Sequence, residues 1–129
     1  RYPETTLQDS CNTLIDQLRA KLEKKEHANA MLYLKTRNYE AAGLALREFL
    51  KHWPNSPFRE DAMFSLLVAD HDLAMNSVEH KRMARTQAGM RSFDTFADAF
   101  PQSERLKQAQ QLRQDLIELQ ERLTKNANP

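Results

Sequence analysis

An all-α solenoid of stacked helical hairpins, about five helices with long first helices, is the fold this sequence predicts. Composition is the first reason. Leu (17) and Ala (15) far outnumber Val and Ile (4 together), which favours helix over strand. The second reason is internal repetition. Tyr2-Pro3-Glu4-Thr5, Trp53-Pro54-Asn55-Ser56 and Phe100-Pro101-Gln102-Ser103 each read aromatic, proline, polar, hydroxyl. From Pro3 to Pro54 is 51 residues, and from Pro54 to Pro101 is 47. Eight positions after each proline stands a small residue: Cys11, Ala62 and Ala109. Proline stops one helix and the hydroxyl can cap the next, so each segment marks a helix-to-helix corner.

The elements follow in order. Thr5 caps the first helix, with Gln8 three residues later in capping-box spacing. Its apolar stripe is Leu7, Cys11, Leu14, Ile15, Leu18, Leu22, Leu32 and Tyr33. No Gly or Pro interrupts until past Thr36, so the helix runs some 30 residues, about 45 Å. The charged stretch Glu23 to His27 is expected to bridge solvent. Arg37-Asn38 makes a tight turn, with asparagine tolerating left-handed geometry. The second helix, Tyr39 to His52, buries Tyr39, Ala42, Ala45, Leu46, Phe49 and Leu50. Ser56 caps the third, with Pro57 at its first position; it buries Phe58, Ala62, Met63, Leu66, Leu67, Leu73 and Ala74. Asn76 to Arg85 reads equally as loop or helical extension. The fourth helix ends at Phe100 and carries Gly89, Phe93, Phe96 and Ala97. The fifth follows Ser103, with Ala109, Leu112, Leu116, Leu119 and Leu123 on one face. These elements divide residues 1–125 into units of about 6–54 and 55–101 and a terminal helix at 103–125. The tail 126–129 is expected to be disordered.

Composition also narrows function. A net charge of +1 argues against a dominant nucleic-acid footprint. Two glycines are too few for a phosphate-cradling loop or a dinucleotide fingerprint. One cysteine excludes an internal disulfide and a cysteine metal cluster; at an apolar stripe position, Cys11 reads as a small buried hydrophobe. Asp70-His71-Asp72 looks metal-like on paper. Consecutive helical residues point about 100° apart, so the triplet reads as no metal site. Met31, Met63 and Met90 lie within helical apolar patterns and read as core filler rather than as a binding surface. No apolar run approaches a membrane span. No catalytic constellation is visible, and no cofactor site is expected.

Tyr33-x5-Tyr39-x2-Ala42-x6-Phe49-x4-Pro54 resembles a tetratricopeptide repeat. By that resemblance Ala30 and Tyr33 sit on the first helix, Ala42 lets the helices approach, and Phe49 fills the gap to the next unit. At an offset of 47, Gly89 answers Ala42, Phe93 answers Leu46, Phe96 answers Phe49 and Pro101 answers Pro54. Thr86 stands where the opening aromatic is expected. The corner Trp53-Pro54-Asn55-Ser56-Pro57-Phe58 is similar to that of the tetratricopeptide lipoproteins of the outer-membrane β-barrel assembly machine (the BamD/YfiO type). Leu18 to Lys25, Ala41-Ala42 through Lys51, and Leu73 to Glu79 look like the carboxy-terminal half of that family.

The resemblance implies a non-catalytic scaffold at the periplasmic face of the outer membrane, with β-barrel assembly subunits as protein partners. Membrane attachment would come only through a lipid anchor outside this chain. A generic tetratricopeptide adaptor is the alternative. The basic segment Lys81, Arg82 and Arg85, at a solenoid edge, is the candidate docking patch. Pro3 reads as the end of an earlier repeat. The first-helix stripe is therefore expected to lack part of its packing and to self-associate.

Overall fold

In a computed structural model, residues 4–127 are described, with side chains from Leu7 to Asn126. Five helices follow one another: α1 (Glu4–Lys35), α2 (Tyr39–His52), α3 (Arg59–Met75), α4 (Glu79–Ala99) and α5 (Leu106–Ala127). No strand occurs among the described residues. Each helix packs on the next in sequence, and α3 also touches α1 and α5, so α3 is the hub of the stack. The all-α hairpin architecture is the one the sequence predicts. Asn76 to Arg85 resolves into a short break at Asn76-Ser77-Val78 and the start of α4. At the far end α5 continues to Ala127, two residues into the stretch expected to be disordered.

The lengths of α1 and α2 decide what α1 can bury. At 32 residues α1 is about 48 Å long, whereas the 14 residues of α2 span about 21 Å. Only the second half of α1 therefore meets a partner, and residues 7–22 are all exposed. Cys11 is exposed with them, contrary to the buried site expected from its stripe position. Leu32 and Tyr33 also remain exposed near the end of α1; the fully buried residue of the helix is Ala30, one turn before Tyr33 and outside the stripe read from sequence.

The charged stretch of α1 meets solvent through Lys24 and Lys25 only; its other three residues face the fold. Glu23 accepts the Ser56 hydroxyl, and Glu26 Oε2 accepts the Trp53 indole N–H at 2.6 Å. His27 stacks on Phe58 with ring centroids 4.6 Å apart and bonds Asp61 Oδ2 at 2.7 Å. Positions 23, 26 and 27 share one helix face, and that face clasps the α2–α3 corner.

The turn after α1 also differs from expectation. Arg37 N donates to Leu34 O (3.1 Å) and Asn38 N to Tyr33 O (2.9 Å), the two bonds of a Schellman closure. The closure needs a left-handed residue at Arg37, whose φ is 63°; Asn38 has φ −91°. A position that glycine usually fills is held by arginine because the hydrogen bonds, not the residue type, set the geometry.

The two later corners are built alike. At both, the aromatic N–H closes the preceding helix: Trp53 N to Phe49 O and Phe100 N to Phe96 O, each 2.9 Å. Ser56 N and Ser103 N then bond the carbonyls of Trp53 and Phe100, each at 3.1 Å. The serine hydroxyls accept N–H groups two residues on, from Phe58 (3.0 Å) and Arg105 (3.1 Å). Ser56 thus stabilises the turn rather than capping at Pro57, and α3 begins at Arg59. Every one of these pairs is related by the 47-residue offset.

Two apolar clusters hold the stack. Ala30, Leu46, Phe49 and Ala62 form the first, across α1, α2 and α3. Met63, Leu67, Ala74, Phe96, Ala109, Leu116 and Leu119 form the second, across α3, α4 and α5. Leu50 packs against both. Gly89 lies against Leu116, and a Cβ there would come within 2.8 Å of Leu116 Cδ1, so any larger residue would force that buried side chain between α4 and α5 to shift.

Candidate partner-docking surface

The residues chosen from the repeat pattern divide by depth. Ala42, Phe49 and Phe96 are fully buried; Tyr39 and Phe93 are partly covered, with the Arg113 guanidinium 5.5 Å from the centre of the Phe93 ring. Pro54 and Pro101 are exposed at the corners, and Tyr33 is 44% exposed at the end of α1. Thr86 is fully buried and returns its hydroxyl to Arg82 O at 2.7 Å, so the small residue needs no aromatic's room.

Of the basic patch, only Lys81 is exposed. Arg82 donates from Nε to Ser77 O (2.7 Å) and from Nη2 to Met75 O (3.3 Å). Arg85 Nη1 donates to Ser77 Oγ (2.6 Å), and its Nη2 lies 3.8 Å from Glu40 Oε2. The last carbonyls of a helix lack intrahelical donors and attract cations. Arg82 answers that need at Met75 O, and Arg85 braces the same break through the Ser77 hydroxyl, so reversing their charge removes internal contacts and would not leave the fold untouched. The Arg85–Glu40 contact also brings the start of α4 beside the start of α2. The α1–α2 and α3–α4 tips are thereby neighbours. The two tips expose Leu32 and Tyr33 from α1 and Val78 (58% exposed) before α4, and their exposed charges are of both signs: Arg37, Glu40, Glu79 and Lys81.

Polar groups elsewhere serve cohesion. Asp70, buried, accepts Arg47 Nη2 at 2.8 Å and the Ser92 hydroxyl, joining α2, α3 and α4. The two ring nitrogens of His71 face Asp72 (2.7 Å) and Asp115 (3.0 Å), tying α3 to α5. Asp70 and His71 thus reach α2, α4 and α5, while Asp72 pairs with His71 on α3 itself. Among the described residues no group of His, Cys, Asp and Glu converges as a metal site. No described helix is long and apolar enough to cross a membrane.

Asp61 is the polar centre of the corners. It accepts His27 on one oxygen and Arg105 Nη1 on the other, at 2.7 and 2.6 Å. Burial pushes its carboxyl up, but the hydrogen bonds and positive charges of Arg105 and His27 outweigh burial and hold it below the ordinary 3.8. A carboxyl lowered in the folded state stabilises the fold above its unfolded value, and the contribution is lost as pH falls through the folded value. Asp61→Asn is therefore expected to melt below the wild type at neutral pH, with the gap closing below about pH 4. Thermal melts across that range check this; a gap that stays constant down to the lowest pH contradicts it.

The Glu23, Glu26, His27, Asp61 and Arg105 network was not among the sites anticipated from sequence. Its one local signal is the shared face of Glu23, Glu26 and His27; its partners lie 27 to 44 residues away in sequence. Beyond it lies the Leu7–Leu22 face of α1, where Leu7, Leu14, Ile15, Leu18 and Leu22 are all exposed. This face runs into an open groove of about 610 Å³ lined by Arg19, Leu22, Glu26, Trp53 and Pro54.

Compared with known proteins, residues 1–85 match the family model described as "YfiO: Outer membrane lipoprotein". No curated protein matches the chain.

Proposed function

Because the chain belongs to this outer-membrane lipoprotein family, we propose that it is a non-catalytic scaffold in the assembly and insertion of outer-membrane β-barrel proteins. It would act at the periplasmic face of the membrane. Stacked hairpins offer extended surfaces suited to holding another protein. The observation that carries the reading is the pair of neighbouring tips, which leave Leu32, Tyr33 and Val78 uncovered beside Arg37 and Lys81. Exposed apolar side chains flanked by both basic and acidic residues, Glu40 and Glu79 among them, suit contact with a soluble segment of a barrel-forming subunit. Docking there would hold that subunit in an assembly-competent arrangement. The basic patch read from sequence contributes Lys81 to this surface, while Arg82 and Arg85 hold the tip that presents it.

Affinity capture from envelope extracts tests the proposal. The wild-type protein is expected to recover a large β-barrel protein. Val78→Asp with Lys81→Glu should lower the recovery by tenfold or more, as loss of a central apolar contact and a rim charge would. Both residues are exposed, so the melting temperature should hold. Recovery of cytosolic chaperones alone would favour a generic adaptor. Equal recovery by the variant would move the docking surface elsewhere.

A further inference from the structure

His71 is buried between α3 and α5, and each of its ring nitrogens lies within hydrogen-bond distance of a carboxylate. Nδ1 is 2.7 Å from Asp72 Oδ1 and Nε2 is 3.0 Å from Asp115 Oδ2. A neutral imidazole has one N–H and one lone pair, and an ionised carboxylate only accepts. A neutral ring between two ionised carboxylates therefore sets a lone pair against a lone pair at one of its nitrogens. Both contacts become hydrogen bonds only when the cluster holds one further proton, on the ring or on a carboxyl. We infer that His71, Asp72 and Asp115 form a proton-dependent clasp between α3 and α5, closed when that proton is bound and loosened as pH rises.

The neighbouring charges leave the ring as the cation of this cluster. Among the described residues neither Asp72 nor Asp115 is paired with a lysine or arginine. Gln111 of α5 adds one amide N–H to Asp115 Oδ1 at 3.3 Å. Asp70, the preceding residue of α3, is engaged by Arg47 of α2 and Ser92 of α4. Arg82 and Arg85 of α4 are bound around Ser77. Helix α1 reaches α3 at Asp61, through His27. His27 bonds one carboxylate, which a neutral ring can do as well as a charged one.

Position gives the clasp its effect. The corner before α5 is fastened by Arg105 on Asp61 and by the Ser103 hydroxyl on Glu60. Asp115 stands farther along the helix, beside Leu116 and one turn before Leu119, which belong to the second apolar cluster with Leu67, Ala74 and Phe96. Opening the clasp loosens the later turns of α5 over that cluster while the corner stays in place.

The closed form binds one proton more than a neutral ring between two carboxylates, so its stability falls as pH rises. A single proton changes the closing equilibrium by at most about tenfold per pH unit. The direction is opposite to that of Asp61, whose contribution is lost on acidification.

Amide exchange of the 129-residue chain, corrected for intrinsic rates, reads the clasp between about pH 5 and 8, where imidazole changes charge. Protection of residues 112–123 is expected to fall by roughly fivefold or more across that range, with α2 unchanged. Asp115→Asn removes the need for the extra proton, because an amide can accept from an N–H or donate to a lone pair. Asp115 is partly exposed, so helical circular dichroism should hold and the pH course in α5 should flatten. Asp72→Asn, on the other ring nitrogen, should flatten it in the same way. Level protection of α5 in the wild type, or the same fall in both variants, overturns the inference.

Discussion

Truncating Phe49 to alanine is expected to destabilise the protein by about 3–5 kcal/mol, the range for a buried aromatic. Phe49 is 1% exposed and belongs to the cluster that joins α1, α2 and α3. The ring of His27 lies 5.5 Å from it, so the cavity would also loosen the polar clasp between α1 and the corner. Helix α1 meets the rest of the fold chiefly through this cluster and that clasp. Stability in a stacked-hairpin protein is close to a sum over neighbouring units. The loss should therefore fall first on α1 and α2, leaving α4 and α5 ordered. Chemical denaturation gives the total, and amide exchange gives its location. A loss below about 1 kcal/mol would mean that Phe49 does not fill the gap between units.

Phe96→Ala is expected to cost a similar 3–5 kcal/mol, with the opposite distribution. Phe96 is fully buried, 5.8 Å from the ring of Phe64 in an edge-on arrangement and 5.9 Å from Phe100. Edge-on aromatic pairs add about 0.5–1.5 kcal/mol beyond burial. Removing the ring takes contacts from α3 and from the second corner at once. Exchange should rise in α4 and α5, while the clasp on α1 persists. If both substitutions instead opened every helix equally, the molecule would be one cooperative block and the two-cluster description would fail.

The corners and the helical register were legible in the sequence because their chemistry is local. Proline, an aromatic and a hydroxyl within four residues dictate the same turn wherever they occur. Apolar spacing then assigns Leu46, Phe49 and Phe96 to the interior. What was not legible depends on lengths compared and on distant partners. Cys11 has the spacing of a core residue; it is exposed because α2 is less than half as long as α1. Glu23 to His27 looks like a solvated charge run, and only Ser56, Trp53 and Asp61 from later elements give it a contact surface. Arg82 and Arg85 looked available for the same reason. Their acceptors are carbonyls and a hydroxyl at the end of α3, groups whose need for a donor appears only once that helix is known to stop at Met75.

The likeness of the two corners bears on how such a chain can change length. Trp53 to Phe58 and Phe100 to Arg105 carry the same backbone bonds and the same serine brace. A crossover between the corners joins one half-turn to its equivalent, so the junction itself needs no adjustment. Residues 54–100 therefore behave as a cassette that can be doubled, adding one helix pair between two ends that stay as they are. Reach is then set by copy number and surface chemistry by point substitution, two quantities that vary independently of one another.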